Sequence, residues 1–185
     1  LDALFAQTHP SASIDIPTGV GFCMYIRRDC LQQVGLFDAD SFGKGYGEEN
    51  DFCQRAIKAG WRNLHALDTF VLHTGSVSFG TTKAPLEIEG ANKLRVLHPT
   101  YEAQVHEFIQ TDPARLYREA VDMRRLQANP LPRVLAVTHS LGGGTLRHIQ
   151  ELAAHLKDRV TTLSMMPMAD HDVLIEWVAE GEGMQ

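Results

Sequence analysis

The chain has 185 residues, 44% of them hydrophobic and 22% charged, ordinary values for a globular protein large enough to bury a core. Its net charge of −6 argues against nucleic acid as the main partner, because phosphate recognition needs a basic face. No apolar run approaches the ~20 residues that span a bilayer, and no charged-then-apolar secretory signal opens the chain. Leu1 stands where a Met would begin a complete chain, as expected of an excised piece. Cys23, Cys30 and Cys53 lack a C-x-x-C spacing, which disfavours structural zinc and a disulfide framework. They read as buried, reduced thiols of a cytoplasmic protein.

Residues 1–17 read as a loop-like lead-in, with Pro10, Pro17 and scattered Ser and Thr. The apolar run GVGFCMYI, residues 19–26, predicts a buried central strand. Residues 29–34 then predict a short helix, with Asp29 as cap and Gly35 as stop. The glycine-rich segment FGKGYG leads into a helix over 49–59. Glu48, Glu49 and Asp51 sit at its positive end, Phe52 and Ile57 face the core, and Gly60 is the stop. An extended run over 63–72 follows and delivers His73, after which comes another Gly/Ser loop.

Helices are expected over 85–97 and 99–110, interrupted at His98-Pro99. A third is announced by Asp112 as N-cap and Pro113 in the first helical position, with Leu116, Ala120, Met123 and Leu126 as its apolar stripe. The ANPLP segment, residues 128–132, is the best domain boundary. Beyond it, RVLAVTH reads as a buried strand. A glycine loop then enters an amphipathic helix whose apolar face is Leu146, Ile149, Leu152, Ala153 and Leu156. RVTTLSMM and DVLIEWVAE read as further strands, so the segment opens like a Rossmann-like strand-helix-strand unit. A dinucleotide fingerprint fails, because Arg147 falls where the third glycine belongs and no acidic residue ends the next strand.

Two resemblances organise these elements. Over roughly Asp15 to Gly80, the run TGVGFCMYIRRDCLQQVGLFDADSFGKGYG, then GEENDFCQRA, a glycine, an extended run and His73 resemble the C-terminal half of a family-2 glycosyltransferase of the GT-A fold. The family's acidic pair, second acidic position, hydrophobic residue and arginine fall on Glu48, Glu49, Asp51, Phe52 and Arg55. VLAVTHSLGGGTLRHIQELAAHL resembles the first strand, glycine loop and helix of a family-4, GT-B type glycosyltransferase. The implied fold class is α/β: the acceptor half of a GT-A nucleotide-diphospho-sugar transferase over 1–84, a helical extension and linker over 85–132, and an incomplete Rossmann-like unit over 133–185. The nucleotide-binding strands and D-x-D motif of a GT-A domain would precede Leu1.

The resemblance implies a sugar transferred from a nucleotide-diphospho-sugar donor to a glycan acceptor hydroxyl, with inversion, in polysaccharide biosynthesis. The expected location is the cytoplasm or the inner face of a membrane. An inverting transfer needs a base for the acceptor proton and positive charge on the departing diphosphate. The base falls on Glu49, where the family usually carries Asp, so the reach is one methylene longer. Glu48 would orient the loop or contact the acceptor. Asp51 is a second candidate at the catalytic centre, and it can also pair with Arg55 one helical turn on. His73 stands where some members place a ligand for a divalent metal, Mg²⁺ or Mn²⁺. Tyr46 and Trp61 flank the motif, where their rings could stack on a sugar face. In the second unit Gly142, Gly143, Gly144 and His148 would lie near the donor phosphates, since bare N–H groups at a helix start bind anions.

Two other readings stay open. One is a metal-dependent hydrolase using Glu48, Glu49, Asp51 and His73, disfavoured by the lack of a second histidine at ligand spacing. The other is a non-catalytic interaction module, which would leave the carboxylates exposed and unclustered. Taken alone, the chain is expected to be catalytically silent.

Overall fold

The computed structural model describes residues 1–43, 46–73, 83–168 and 172–178, with side chains except those of residues 83–86. The chain is mixed α/β with small sheets. It divides into two compact units, Leu1–Tyr117 and Arg118–Gln185. The helical stretch is shared between them, and the division falls early in its last helix. Among the described residues no helix is long and apolar enough to cross a membrane.

The first unit opens with α1 (Asp2–Thr8) and β1 (Ser13–Asp15), where the local sequence predicts only a loop. The reason is tertiary. β1 pairs antiparallel with β2 (Leu64–Ala66), Ile14 opposite His65, a partner some fifty residues away that local patterning does not reveal. α1 is tied to the same region by the Phe5–Phe70 ring stack and by Phe70 N–H donating to Asp2. Of the extended run expected over 63–72, only Leu64–Ala66 is strand.

Residues 19–26 are not a strand, contrary to expectation. Among the described residues no strand pairs with this backbone; instead Cys23 N–H donates to Val20 C=O in a turn, and Gly19 N–H donates to Cys53 Sγ. Val20, Phe22 and Tyr25 are exposed, Tyr25 to 91%. Continuous apolar character is therefore misleading here, since it reports hydrophobicity and not a partner.

The core of the unit is Cys30, Phe52 and Ala56, with Ile26, Leu31, Val34 and Trp61 packed on it. Cys30 lies on α2 (Arg28–Val34), which ends as expected at Gly35, and the short α3 (Ala39–Phe42) follows with Asp38 capping Ser41 N–H. Phe52 and Ala56 lie on α4 (Glu48–Lys58). Glu48, Glu49 and Asp51 occupy its first turn and Arg55 and Lys58 its last, so both ends complement the helix dipole. Phe52 is 3% exposed, as predicted, whereas Ile57 points outward. Cys30 and Cys53 are buried free thiols, but Cys23 is exposed.

Two helices complete the unit, α5 (Lys83–Leu97) and α6 (Tyr101–Thr111), joined through His98. α5 packs against α4. Asp112 does not start the next helix. It adopts φ 38° and closes α6, its N–H donating to Phe108 C=O, and α7 (Arg115–Ala128) begins three residues later. On α7 the buried residues are Val121 and Leu126, while Leu116 and Met123 of the predicted stripe are exposed.

The second unit is a strand-helix-strand unit with a further strand. β3 (Arg133–Val137) pairs parallel with β4 (Thr161–Pro167), and α8 (Gly144–Leu156) runs between them. β5 (Val173–Trp177) pairs antiparallel with β4, giving the order β3-β4-β5. Among the described residues β3 is thus an edge strand, and Val134, Leu135 and Val137 are exposed where the sequence predicts burial. Of the α8 apolar face, Ile149 and Ala153 are buried and Leu152 is not.

Candidate functional site

The acidic motif folds so that its carboxylates part company. Gly47 caps α4 with φ 117°, a left-handed conformation that favours glycine, and a Cβ there would stand 2.9 Å from the Phe42 ring. This sharp entry sets the direction of each following side chain. Glu49 and Asn50 open onto a cleft of about 250 Å³, lined also by Tyr46, Gly47, Glu87, Ala91, Leu94, Tyr101 and Glu102. Neither Glu48 nor Asp51 lines it.

Asp51 is turned into the interior, 3% exposed, and both of its oxygens are bonded. Oδ2 accepts from Arg55 Nε at 2.7 Å, and Oδ1 faces His98 Nε2 at 2.8 Å. Arg55 also donates to the carbonyls of Val34 and Leu36, fastening α4 to the end of α2. His98 Nδ1 lies 2.9 Å from Lys58 Nζ, which donates as well to Leu97 C=O. An ammonium group can only donate, so Nδ1 accepts and the ring proton resides on Nε2, pointing at Asp51. Asp51 thus holds the fold, as its spacing from Arg55 allows, and does not face the cleft. His98, which the sequence marks only as the break between two helices, is the centre of the network. Its distance of 47 positions from Asp51 leaves no local signal for the pairing.

Glu48 is half-buried. Its Oε2 is buried without a hydrogen-bond partner among the described residues. Burial pushes its carboxyl above the usual range, and the adjacent Glu49 charge adds to the rise. Glu49 accepts from Gly47 N–H at 3.4 Å, a long contact.

The opposite wall comes from α5 and α6. Tyr101, at the start of α6, is hydrogen-bonded to Thr18, and Thr18 donates to Asn50 Oδ1 at 2.7 Å. Burial raises the Tyr101 phenol above its ordinary value, and the Glu49 charge raises it further. Glu102 is paired with Arg95 at 2.6 Å. Asn50, Tyr101 and Thr18 escape sequence reasoning: Asn50 is the variable member of the motif, and the other two lie far from it in the chain.

The remaining predicted residues are dispersed. Tyr46 lines the cleft, with φ 78°. Trp61 is not part of that lining; its ring packs on the Cys30–Phe52–Ala56 core, donates to Gln33 Oε1 at 3.0 Å and carries the Arg27 guanidinium at 5.3 Å. His73 is exposed and stacked on Phe22, ring centroids 4.3 Å apart, and is not part of the cleft lining. The Gly/Ser loop after it, residues 74–82, lies outside the described residues.

A divalent ion, implied by the resemblance, needs several converging ligands. Among the described residues no group of three or more His, Cys, Asp or Glu side chains is placed to hold one. Asp51 is committed to Arg55 and His98, and the His73 ring is stacked away from the cleft lining. Among the described residues, Asp51 and His73 therefore offer no converging set of ligands for a resident metal.

In the second unit Gly142 and Gly143 have φ 66° and 82°, and α8 begins at Gly144 without a side-chain cap. A Cβ on any of these three glycines would meet nothing within 4 Å, so backbone conformation and not crowding explains the first two. His148 is exposed on the second turn of α8.

The first unit's cleft presents the Glu49 carboxylate at the start of α4 together with Glu87 and Glu102, the aromatic rings of Tyr46 and Tyr101 and the amide of Asn50. No family model, no curated protein and no solved structure matches this chain.

Proposed function

We propose that the first unit is the acceptor side of an inverting glycosyltransferase of the GT-A type, with Glu49 as the general base. The observation that carries this reading is the separation of the motif's carboxylates: on α4 only Glu49 opens onto the cleft, while Asp51 is locked in the interior. A base that must take a proton from an acceptor hydroxyl needs access to that hydroxyl and a fixed position. Glu49 has both, because it opens onto the cleft and the first turn of α4 is anchored through Asn50 and Asp51, the two residues that follow it.

Glu49 then accepts the proton as the acceptor oxygen attacks the anomeric carbon. Tyr46 and Tyr101 offer ring faces to the sugar, and Asn50 offers its amide. Positive charge for the leaving diphosphate is assigned to the donor-binding part of the enzyme and not to these residues. The second unit is assigned to the opening of a GT-B type domain, its glycine loop and the uncapped start of α8 standing near donor phosphates.

The test is product stereochemistry. The protein that carries this chain, incubated with α-linked nucleotide sugars and a panel of glycans, should yield β-linked products. The absence of any β-linked product with every acceptor would overturn the reading.

A further inference from the structure

We propose that His98 is a positioning residue, a latch that fixes the distance between the two walls of the Glu49 cleft. One wall is the entry of α4, with Gly47, Glu49 and Asn50. The other is supplied by Leu94 and Ala91 of α5 and by Tyr101 and Glu102 of α6. His98 is the junction of the second wall: its N–H donates to Leu94 C=O at 2.7 Å, and its C=O accepts from Tyr101 N–H at 3.0 Å. Its side chain reaches the first wall, meeting Asp51, the neighbour of Asn50, at 2.8 Å.

The imidazole is 4% exposed and bonded through both nitrogens, so its orientation is over-determined. Lys58 supplies the second constraint. By donating to Nδ1 it forces the ring proton onto Nε2, the one position from which the ring can donate to Asp51. A ring with the proton on Nδ1 would place a lone pair against the carboxylate and loosen the latch. Lys58 and His98 therefore act in series on Asp51, and through it on the turn that carries Glu49. The latch serves the cleft whatever chemistry runs there, so its failure and the failure of the sugar-transfer reading are separate results.

The test uses the full chain and NMR. In the wild type, the imidazole ¹H–¹⁵N correlations of His98 should show a single Nε2–H tautomer with a slowly exchanging ring proton. Lys58→Met, at an exposed position, should abolish the single-tautomer pattern. Leu94 Cδ1 lies 3.4 Å from the Cβ position of Gly47, so a Leu94 methyl to Gly47 Hα cross-peak reports the spacing of the walls. His98→Phe should lose that cross-peak. His98→Gln, whose amide can both donate to Asp51 and accept from Lys58, should restore it. An Nδ1–H tautomer in the wild type would overturn the proposal, as would an unchanged cross-peak in His98→Phe or an unchanged tautomer in Lys58→Met. Should the Phe variant fail to fold, the wild-type and Lys58→Met tautomers decide the matter.

Discussion

The carbonyl oxygen of Tyr46 lies only 2.0 Å from where a Cβ on Gly90 would stand. Helix α5 can approach the entry of α4 this closely because residue 90 has no side chain. An alanine in the middle of a helix ordinarily improves on glycine by ~1 kcal/mol. At position 90 the backbone contact reverses the sign: Gly90→Ala should destabilise by about 1–3 kcal/mol through overpacking. Gly144→Ala is the control, since its Cβ would meet nothing within 4 Å and its φ is not positive. That variant should be neutral or stabilising by up to ~1 kcal/mol. Urea unfolding of both proteins checks the pair, and equal behaviour would contradict the close approach.

Two buried side chains of α4 carry much of its attachment. Phe52, 3% exposed and edge-to-face with Phe37 at 5.3 Å, should cost ~3–5 kcal/mol on replacement by Ala. Asp51→Ala should cost a similar ~3–5 kcal/mol, because it leaves Arg55 and His98 without their shared acceptor. Losses of a few tenths of a kcal/mol in denaturant melts would place these residues at the surface.

Glu48 supplies a pH signature. Its folded-state carboxyl is raised above the unfolded value, chiefly by burial, so folding favours the protonated form. The associated stability is present below the unfolded value, about 4.3, and is lost as pH rises through the higher folded value. Glu48→Gln keeps the size and removes the ionisation. Relative to wild type, the variant should therefore gain melting temperature as pH rises from about 4 towards neutrality. A pH-independent difference would show that the Glu48 carboxyl is not perturbed by the fold.

The parts of this fold that the sequence predicts are those whose causes are local. Helix α4 carries its own signals, a left-handed glycine entry, acidic first turn and basic last turn, and its observed bounds differ from expectation by one residue at each end. The strand-helix-strand order of the second unit follows equally from periodicity and the glycine loop. What local patterning misses is set by distant partners. β1 depends on β2, and His98 gains its meaning only from Asp51 and Lys58. Residues 19–26 mislead because an apolar run records hydrophobicity without saying whether another strand will lie beside it. At the site, Glu49 follows from the motif, whereas Asn50, Tyr101 and Thr18 meet only when α4 and α6 come together.

The most direct measurement is the turnover of Glu49→Gln in the protein that carries this chain, assayed for sugar transfer at saturating donor and acceptor. The substitution keeps the length of the side chain and its place in the cleft while removing the base. Turnover should fall by roughly 10²–10⁴ with the donor KM little changed, and circular dichroism should report an intact fold. Wild-type turnover in the folded variant would contradict the assignment of Glu49 as the base.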